Sequence, residues 1–130
     1  MSVVLDASAL IAFFKREPGA EAVELLLRDG VVSAVNLSEV LDKSGLRQVD
    51  YGRVTALLRS WNVDVVPFDA EQAMLAATIR QRLGRSDVSF ADRACLALAW
   101  HHDVPAVTAD RLWKSFEIGI EIRLIRGEVS

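Results

Sequence analysis

Five short runs rich in β-branched and aliphatic residues recur along the chain: "SVVL" at 2–5, "VVSAV" at 31–35, "VDVVPF" at 63–68, "PAVT" at 105–108 and "IEIRLI" at 120–125. The segments between them carry helical patterns, and strands alternating with helices require crossover connections, so the chain reads as α/β with a parallel sheet. "ALIAFF" and "EAVELLLR" give two helices broken near Pro18-Gly19. "LSEVLDKSGLR" and "DYGRVTALLRSW" give two more, separated by a turn around Ser44 to Val49. "DAEQAMLAATIRQRL", from Asp69 to Leu83, stops near Gly84, and "FADRACLALAWHH" follows a short loop. The last run alternates Ile120, Ile122 and Leu124 with Glu121 and Arg123, as a half-exposed strand at a sheet edge does.

The chain has 130 residues, 52% of them apolar and 25% charged, which suits one domain (1–130) able to bury a core. No apolar run approaches the roughly 20 residues of a membrane span, and the N-terminus has no signal-peptide pattern, so a cytoplasmic protein without membrane contact is expected. Cys95 is the single cysteine and lies in "ACLALAW", the setting of a buried structural thiol. A net charge of −3 argues against binding nucleic acid through overall charge, although local charge is a separate matter.

In a parallel sheet every strand-to-helix turn lies at the carboxyl edge, where open α/β folds place their ligands. Four acids map there. Asp6 ends the first strand, Glu39 is expected in the first turn of the helix after the second, Asp92 in the first turn of the helix entering the fourth, and Asp110 follows the fourth. Each also has a capping explanation, since Asn36 with Glu39 and Ser89 with Asp92 have capping-box spacing, and Asp6 and Asp110 precede helical segments. Asp69, with Gln72 three residues on, is expected only to cap. Asp6 at the positive end of a helix is expected to stay ionised.

Taken together, the acids are harder to explain as caps. Two carboxylates about 4 Å apart repel by roughly 4 kcal/mol at an effective dielectric of 20, so a convergent set needs a cation. No Cys or His cluster suits zinc, whereas oxygen ligands suit Mg²⁺ or Mn²⁺. Ser8, two residues after Asp6, and Thr108, two before Asp110, are placed to hydrogen-bond a carboxylate or a bound water. Asn36 is placed to orient Glu39.

"VVLDASALIAFF", "NLSEVL", "VSFADRACLALA" and "VTADRLW" together resemble the PIN domains, and most closely the VapC-like toxins of bacterial toxin–antitoxin pairs. The resemblance spans nearly the whole chain. It implies a three-layer α/β/α fold with a parallel sheet of four or five strands and helices on both faces. It also implies a metal-dependent endoribonuclease held inactive by a small antitoxin, with Asp6, Glu39, Asp92 and Asp110 at the positions of the family's acidic cluster. Asp87 is a second acid near Asp92, but the frame "SFADRACLALA" favours Asp92. One or two Mg²⁺ or Mn²⁺ ions between Asp6, Asp92 and Asp110, with Glu39 as a ligand or as the group orienting the attacking water, would hydrolyse RNA to 5′-phosphate and 3′-hydroxyl ends.

Arg85 and Arg93 flank the Asp92 segment and are the candidate RNA contacts. Arg80 and Arg82 read as a solvated helix face, and Arg47 and Arg53 flank the turn after the Glu39 helix. The Leu-rich "AVELLLRDG" and Trp61, Trp100 and Trp113 read mostly as core, although an antitoxin groove or homodimer surface would use the same residues. His101 and His102 are read as structural. Two alternatives stand beside the nuclease. One is a haloacid-dehalogenase-like phosphotransfer enzyme with Asp6 as nucleophile, which lacks a second Asp at Ser8 and whose only lysines, Lys15, Lys43 and Lys114, follow no core strand. The other is an inactive PIN-like binding module.

Overall fold

The computed structural model describes residues 2–43, 45 and 48–127. In chain order these form β1 (Val3–Leu5), α1 (Ala7–Phe14), α2 (Ala20–Leu26), β2 (Gly30–Ser33), α3 (Ala34–Lys43), α4 (Gln48–Ser60), β3 (Asp64–Val66), α5 (Ala70–Leu83), α6 (Phe90–His102), β4 (Ala106–Thr108) and β5 (Ile122–Leu124). Short 3₁₀ turns occupy Leu27–Asp29 and Arg111–Ser115. All neighbouring strands pair in parallel, in the order β3-β2-β1-β4-β5.

Alternate strand residues point to opposite faces, and each face has its own core. Val3, Leu5, Val32 and Val107 pack with α1, α2 and α4 through Leu10, Phe13, Val23, Val54 and Leu58. Val4, Val31 and Ala106 pack with α5 and α6 through Ala76, Ile79, Leu96 and Leu98, and with Trp113. This is the three-layer α/β/α arrangement, and it explains why β1 is buried along its whole length without a polar face.

The connectivity decides where a ligand site can be. From β1 the chain steps outward to β2 and β3. It then returns through α5 and α6 to β4, on the other side of β1. The carboxyl ends of β1 and β4 therefore flank a topological switch point, where the outgoing loops diverge and leave a crevice. One turn beside this edge needs its glycine: Gly19 has φ of 98°, and a Cβ there would lie 2.8 Å from the Ile125 carbonyl oxygen.

Several element boundaries differ from those read off the sequence. The second strand ends at Ser33, whose Oγ accepts the Val35 N–H at 3.2 Å, so α3 starts before the β-branched Val35 would suggest. Glu39 consequently lies in the second turn of α3, and Asn36 lies inside the helix instead of capping it. Val49 belongs to α4, whereas Ser44, Leu46 and Arg47 of the expected turn lie outside the described residues. "RLWKS" forms a 3₁₀ turn. Asp69 caps α5 by accepting the Gln72 N–H, and Ser89 with Asp92 makes a complete capping box on α6, both as expected.

Candidate active site

Because Leu5 pairs with Val107, the residues just beyond them, Asp6 and Thr108, stand side by side at the crevice. Asp6 occupies the N-cap position of α1, yet its carboxylate makes no capping bond. Asp6 Oδ2 instead accepts from Ser8 Oγ at 2.7 Å and from Thr108 Oγ1 at 2.9 Å. Ser8 Oγ also accepts the Ala109 N–H at 2.9 Å, and Thr108 Oγ1 accepts the Asp110 N–H at 3.1 Å. Two hydroxyls thus tie the ends of β1 and β4 to one carboxylate.

Asp6 is 4% exposed, and its second oxygen, Oδ1, is buried without a hydrogen-bond partner. Burial pushes its pKa up to about 6, against the opposing pull of the Ser8 and Thr108 hydrogen bonds, while the negative charges of Asp92 and Glu39 push it further up. Burial thus works against the helix N-terminus at Asp6, and a pKa of about 6 still leaves the carboxylate mostly ionised at neutral pH. Desolvation is the largest cause of the rise, and the carboxylate makes no bond to the cap amides that would offset it.

The other three acids reach the same crevice from separate elements. Asp6, Glu39, Asp92 and Asp110 all line one pocket of about 300 Å³, together with Ser8, Glu17, Lys43 and Arg126. Asp92 Oδ2 accepts the Ser89 N–H at 3.2 Å, so capping and site membership coexist in one side chain. Burial raises its pKa, and the charges of Glu39 and Asp110 add to that rise. Asp110 Oδ1 accepts the Leu112 N–H at 3.0 Å, again a cap at the pocket wall. Asn36 is fully buried, and its Nδ2 donates to the Ala91 carbonyl at 2.9 Å. It therefore locks α3 against the start of α6, holding the Glu39 helix beside Asp92, and does not bond Glu39 as the sequence suggested.

A PIN domain family model matches residues 3–118. The chain belongs to the PIN-domain family. The toxin–antitoxin complex from Klebsiella pneumoniae contains a similar fold, with a TM-score of 0.73 at 20% identity over 92% of this chain and 95% of that one. The DNA-bound VapBC of Salmonella typhimurium gives 0.72 at 19% identity over 97% and 99%. VapC20 of Mycobacterium tuberculosis, a sarcin–ricin loop cleaving toxin, gives 0.67 at 18% identity over 92% and 99%. No curated protein sequence matches the chain.

The donor set of this PIN domain fits a hard divalent cation. All four acids offer oxygen, and the orphaned Asp6 Oδ1 is a buried acceptor with nothing to accept from. Among the described residues no three His, Cys, Asp or Glu side chains are already gathered as a metal cluster. Each carboxylate is instead held by its own partner.

Two cations in the pocket were not anticipated. Lys43 Nζ lies 2.9 Å from Glu39 Oε2, and this contact raises the lysine pKa. The Glu39–Lys43 i, i+4 spacing was a legible signal. Arg126 was not legible, because it reaches the rim from beyond β5, donating to the Pro18 carbonyl at 2.8 Å with Glu17 at 3.5 Å. The arginines singled out from sequence lie elsewhere. Arg85 is bound bidentately by Asp87, whose carboxyl it holds below the ordinary range, and Arg93 lies over the Phe90 ring at 5.7 Å. Arg82 covers Trp100 at 4.8 Å, the solvated-face reading. Asp87, Arg85 and Arg93 do not line the pocket, and Arg47 lies outside the described residues. Cys95 is buried, as expected. Trp113 is wholly buried and so belongs to the core alone.

Removing one of the two hydroxyls tests this arrangement. A hydrogen bond to a charged group is worth about 1.5 kcal/mol or more, so Thr108→Val is expected to raise the Asp6 pKa by about one pH unit in the metal-free protein. Carboxyl-carbon NMR titration measures it directly, and an unshifted or lowered pKa would contradict the role given to Thr108.

Proposed function

We propose that this PIN domain is a divalent-metal-dependent endoribonuclease and the toxin of a toxin–antitoxin pair. The observation that carries this reading is the convergence of Asp6, Glu39, Asp92 and Asp110 on one pocket at the switch point, with a buried carboxylate oxygen left unpartnered. Neighbours named as VapBC toxins support the biological role, and the one named for cleaving the sarcin–ricin loop supports RNA as substrate.

Bound Mg²⁺ or Mn²⁺ supplies charge neutralisation at a scissile phosphodiester and a more acidic water for its hydrolysis. Asp6 is the rigid ligand, its Oδ2 anchored by Ser8 and Thr108 and its Oδ1 free for the cation. Asp92 and Asp110 present their carboxylates from the start of α6 and the turn after β4. Glu39, half-buried on α3, ligates or orients the attacking water. Arg93 and Arg85, outside the pocket, are proposed to contact RNA further along the strand. The Asp6-nucleophile alternative finds no support at the site, where Ser8 bonds the carboxylate and no second Asp follows it.

For partners, neighbours named as toxin–antitoxin and VapBC complexes support a small antitoxin, and Leu25 on α2, 83% exposed, and Met74 on α5, 72% exposed, are separate apolar points on opposite faces of the sheet for such a partner or a second copy. Among the described residues no helix is long and apolar enough to cross a membrane.

The test is cleavage of total cellular RNA by purified protein in Mg²⁺, Mn²⁺ or EDTA with the cut ends mapped. Discrete products bearing 5′-phosphates, formed with metal and absent in EDTA, are expected. Equal cleavage in EDTA, or none with either metal, would overturn the reading.

A further inference from the structure

We propose that Lys43 is a phosphate-binding residue of this site, parked on Glu39 in the metal-free protein and released to the RNA backbone when a divalent cation takes that carboxylate. The inference rests on the nuclease reading and adds to it a residue that neither the four-acid pattern nor the fold implies. Five acids and two cations line the pocket. The chain's other cation there, Arg126, is tethered by the Pro18 carbonyl and Glu17. Lys43 has one hydrogen bond to a side chain in the pocket, to Glu39 Oε2, and its own side chain is 61% exposed while that of Glu39 is 17% exposed. The carboxylate is therefore the fixed partner and the ammonium the movable one. An ammonium on a four-carbon stem redirects its donors easily, unlike a guanidinium locked in a bidentate fork.

Charge demands such a residue. An RNA backbone approaching a pocket of five carboxylates is repelled unless cations offset the acids, and a divalent ion alone leaves the walls negative. While Lys43 sits on Glu39 it partly occupies the position of a metal charge, and the two compete. Once the metal holds Glu39, the ammonium loses its one hydrogen-bonded carboxylate and stands at a pocket wall where Asp6 and Asp92 still favour its charge. The competing explanation is an exposed helical i, i+4 pair at the C-terminal end of α3, which contributes only slight stability and touches no ligand.

Two readouts on Lys43→Met and Lys43→Arg separate these. Calorimetric Mn²⁺ titration without RNA is expected to show several-fold tighter binding in Lys43→Met than in the wild type, because a like charge has left the site. In RNA cleavage with Mn²⁺, Lys43→Met is expected to raise KM about tenfold, and to lower the slope of log KM against log salt by about 0.7, the value for one phosphate contact on a single strand. Lys43→Arg is expected to restore the slope. Unchanged or weaker Mn²⁺ binding, an unchanged slope, or a change confined to the melting temperature would each overturn the proposal. If the wild type cleaves no RNA with metal, the nuclease reading fails first. If it cleaves and Lys43→Met behaves identically, only this inference fails.

Discussion

Asp6→Asn is expected to abolish metal-dependent RNA cleavage and, in the same protein, to raise the melting temperature at pH 7.5 in EDTA. Loss of a direct ligand removes several kcal/mol of transition-state stabilisation, so the rate should fall by about 10³-fold or more. The stability gain comes from the opposite side of the same design. In the folded protein the Asp6 pKa is about 6, against an ordinary value of 3.8. Between those values the folded state holds more protons than the unfolded one, so stability falls as pH rises from about 4 to about 6 and stays lowered above it.

The shift corresponds to as much as about 3 kcal/mol, at 1.36 kcal/mol per pH unit, which is the cost of an ionised, buried and incompletely bonded carboxylate. Asn carries no charge, so at neutral pH the variant should recover a large part of it, about 10 °C in melting temperature for a chain of this size. Below pH 4 the two proteins should melt together. Mn²⁺ should raise the wild-type midpoint and leave that of the variant nearly unmoved, because only a bound ligand shifts it. Thermal melts across pH 3.5 to 8, with and without Mn²⁺, decide the matter. A less stable Asp6→Asn at pH 7.5 would mean that the carboxylate is a structural element and not a strained ligand.

Trp113→Ala is expected to have the largest purely structural effect. Trp113 is fully buried, the bulkiest such side chain, and sits in the 3₁₀ turn between Asp110 and Phe116. Its ring stacks on Phe116 at 6.3 Å, and it belongs to the core that α5 and α6 form against the sheet. Truncation to Ala leaves a cavity that short strands and tight turns cannot close, and a loss of about 3 to 5 kcal/mol follows. Trp113→Phe should cost far less, because the indole Nε1 is buried without a partner and its removal relieves an unsatisfied donor. Urea unfolding of the two variants measures the difference, and similar losses in both would show that ring volume is not what matters. Since Asp110 takes its orientation from the Leu112 N–H in the same turn, Trp113→Ala should also weaken Mn²⁺ binding in the fraction that remains folded.

How far these features were legible from sequence differs from residue to residue. Asp92 and Ser89 were readable as a capping box, since a local spacing of three residues creates both bonds. Glu39 and Asn36 were misplaced by a turn for a matching reason. Ser33 starts α3 early, and the buried amide of Asn36 is used on Ala91, a contact between residues 55 apart in the chain. The charge of Arg85 is visible in sequence, whereas its bidentate engagement by Asp87 is visible only in space.

Periodicity and turn residues were sufficient to determine the order of elements and a parallel sheet, since both follow from local backbone preference and from which residues avoid water. Four acids at the carboxyl edge, two beyond strand ends and two in the first turns of helices as read from spacing, followed from the same rules, because a parallel sheet gathers its turns at one edge. The tertiary structure alone decided that the chain reverses its direction of travel between β1 and β4. That reversal brings Asp6 against Thr108 across a hundred residues and buries one carboxylate oxygen with no partner. Such a placement depends on desolvation and on distant backbone, neither of which leaves a trace in local spacing. The same holds for Arg126 at the rim, where a cation gains its meaning only from the acids it faces.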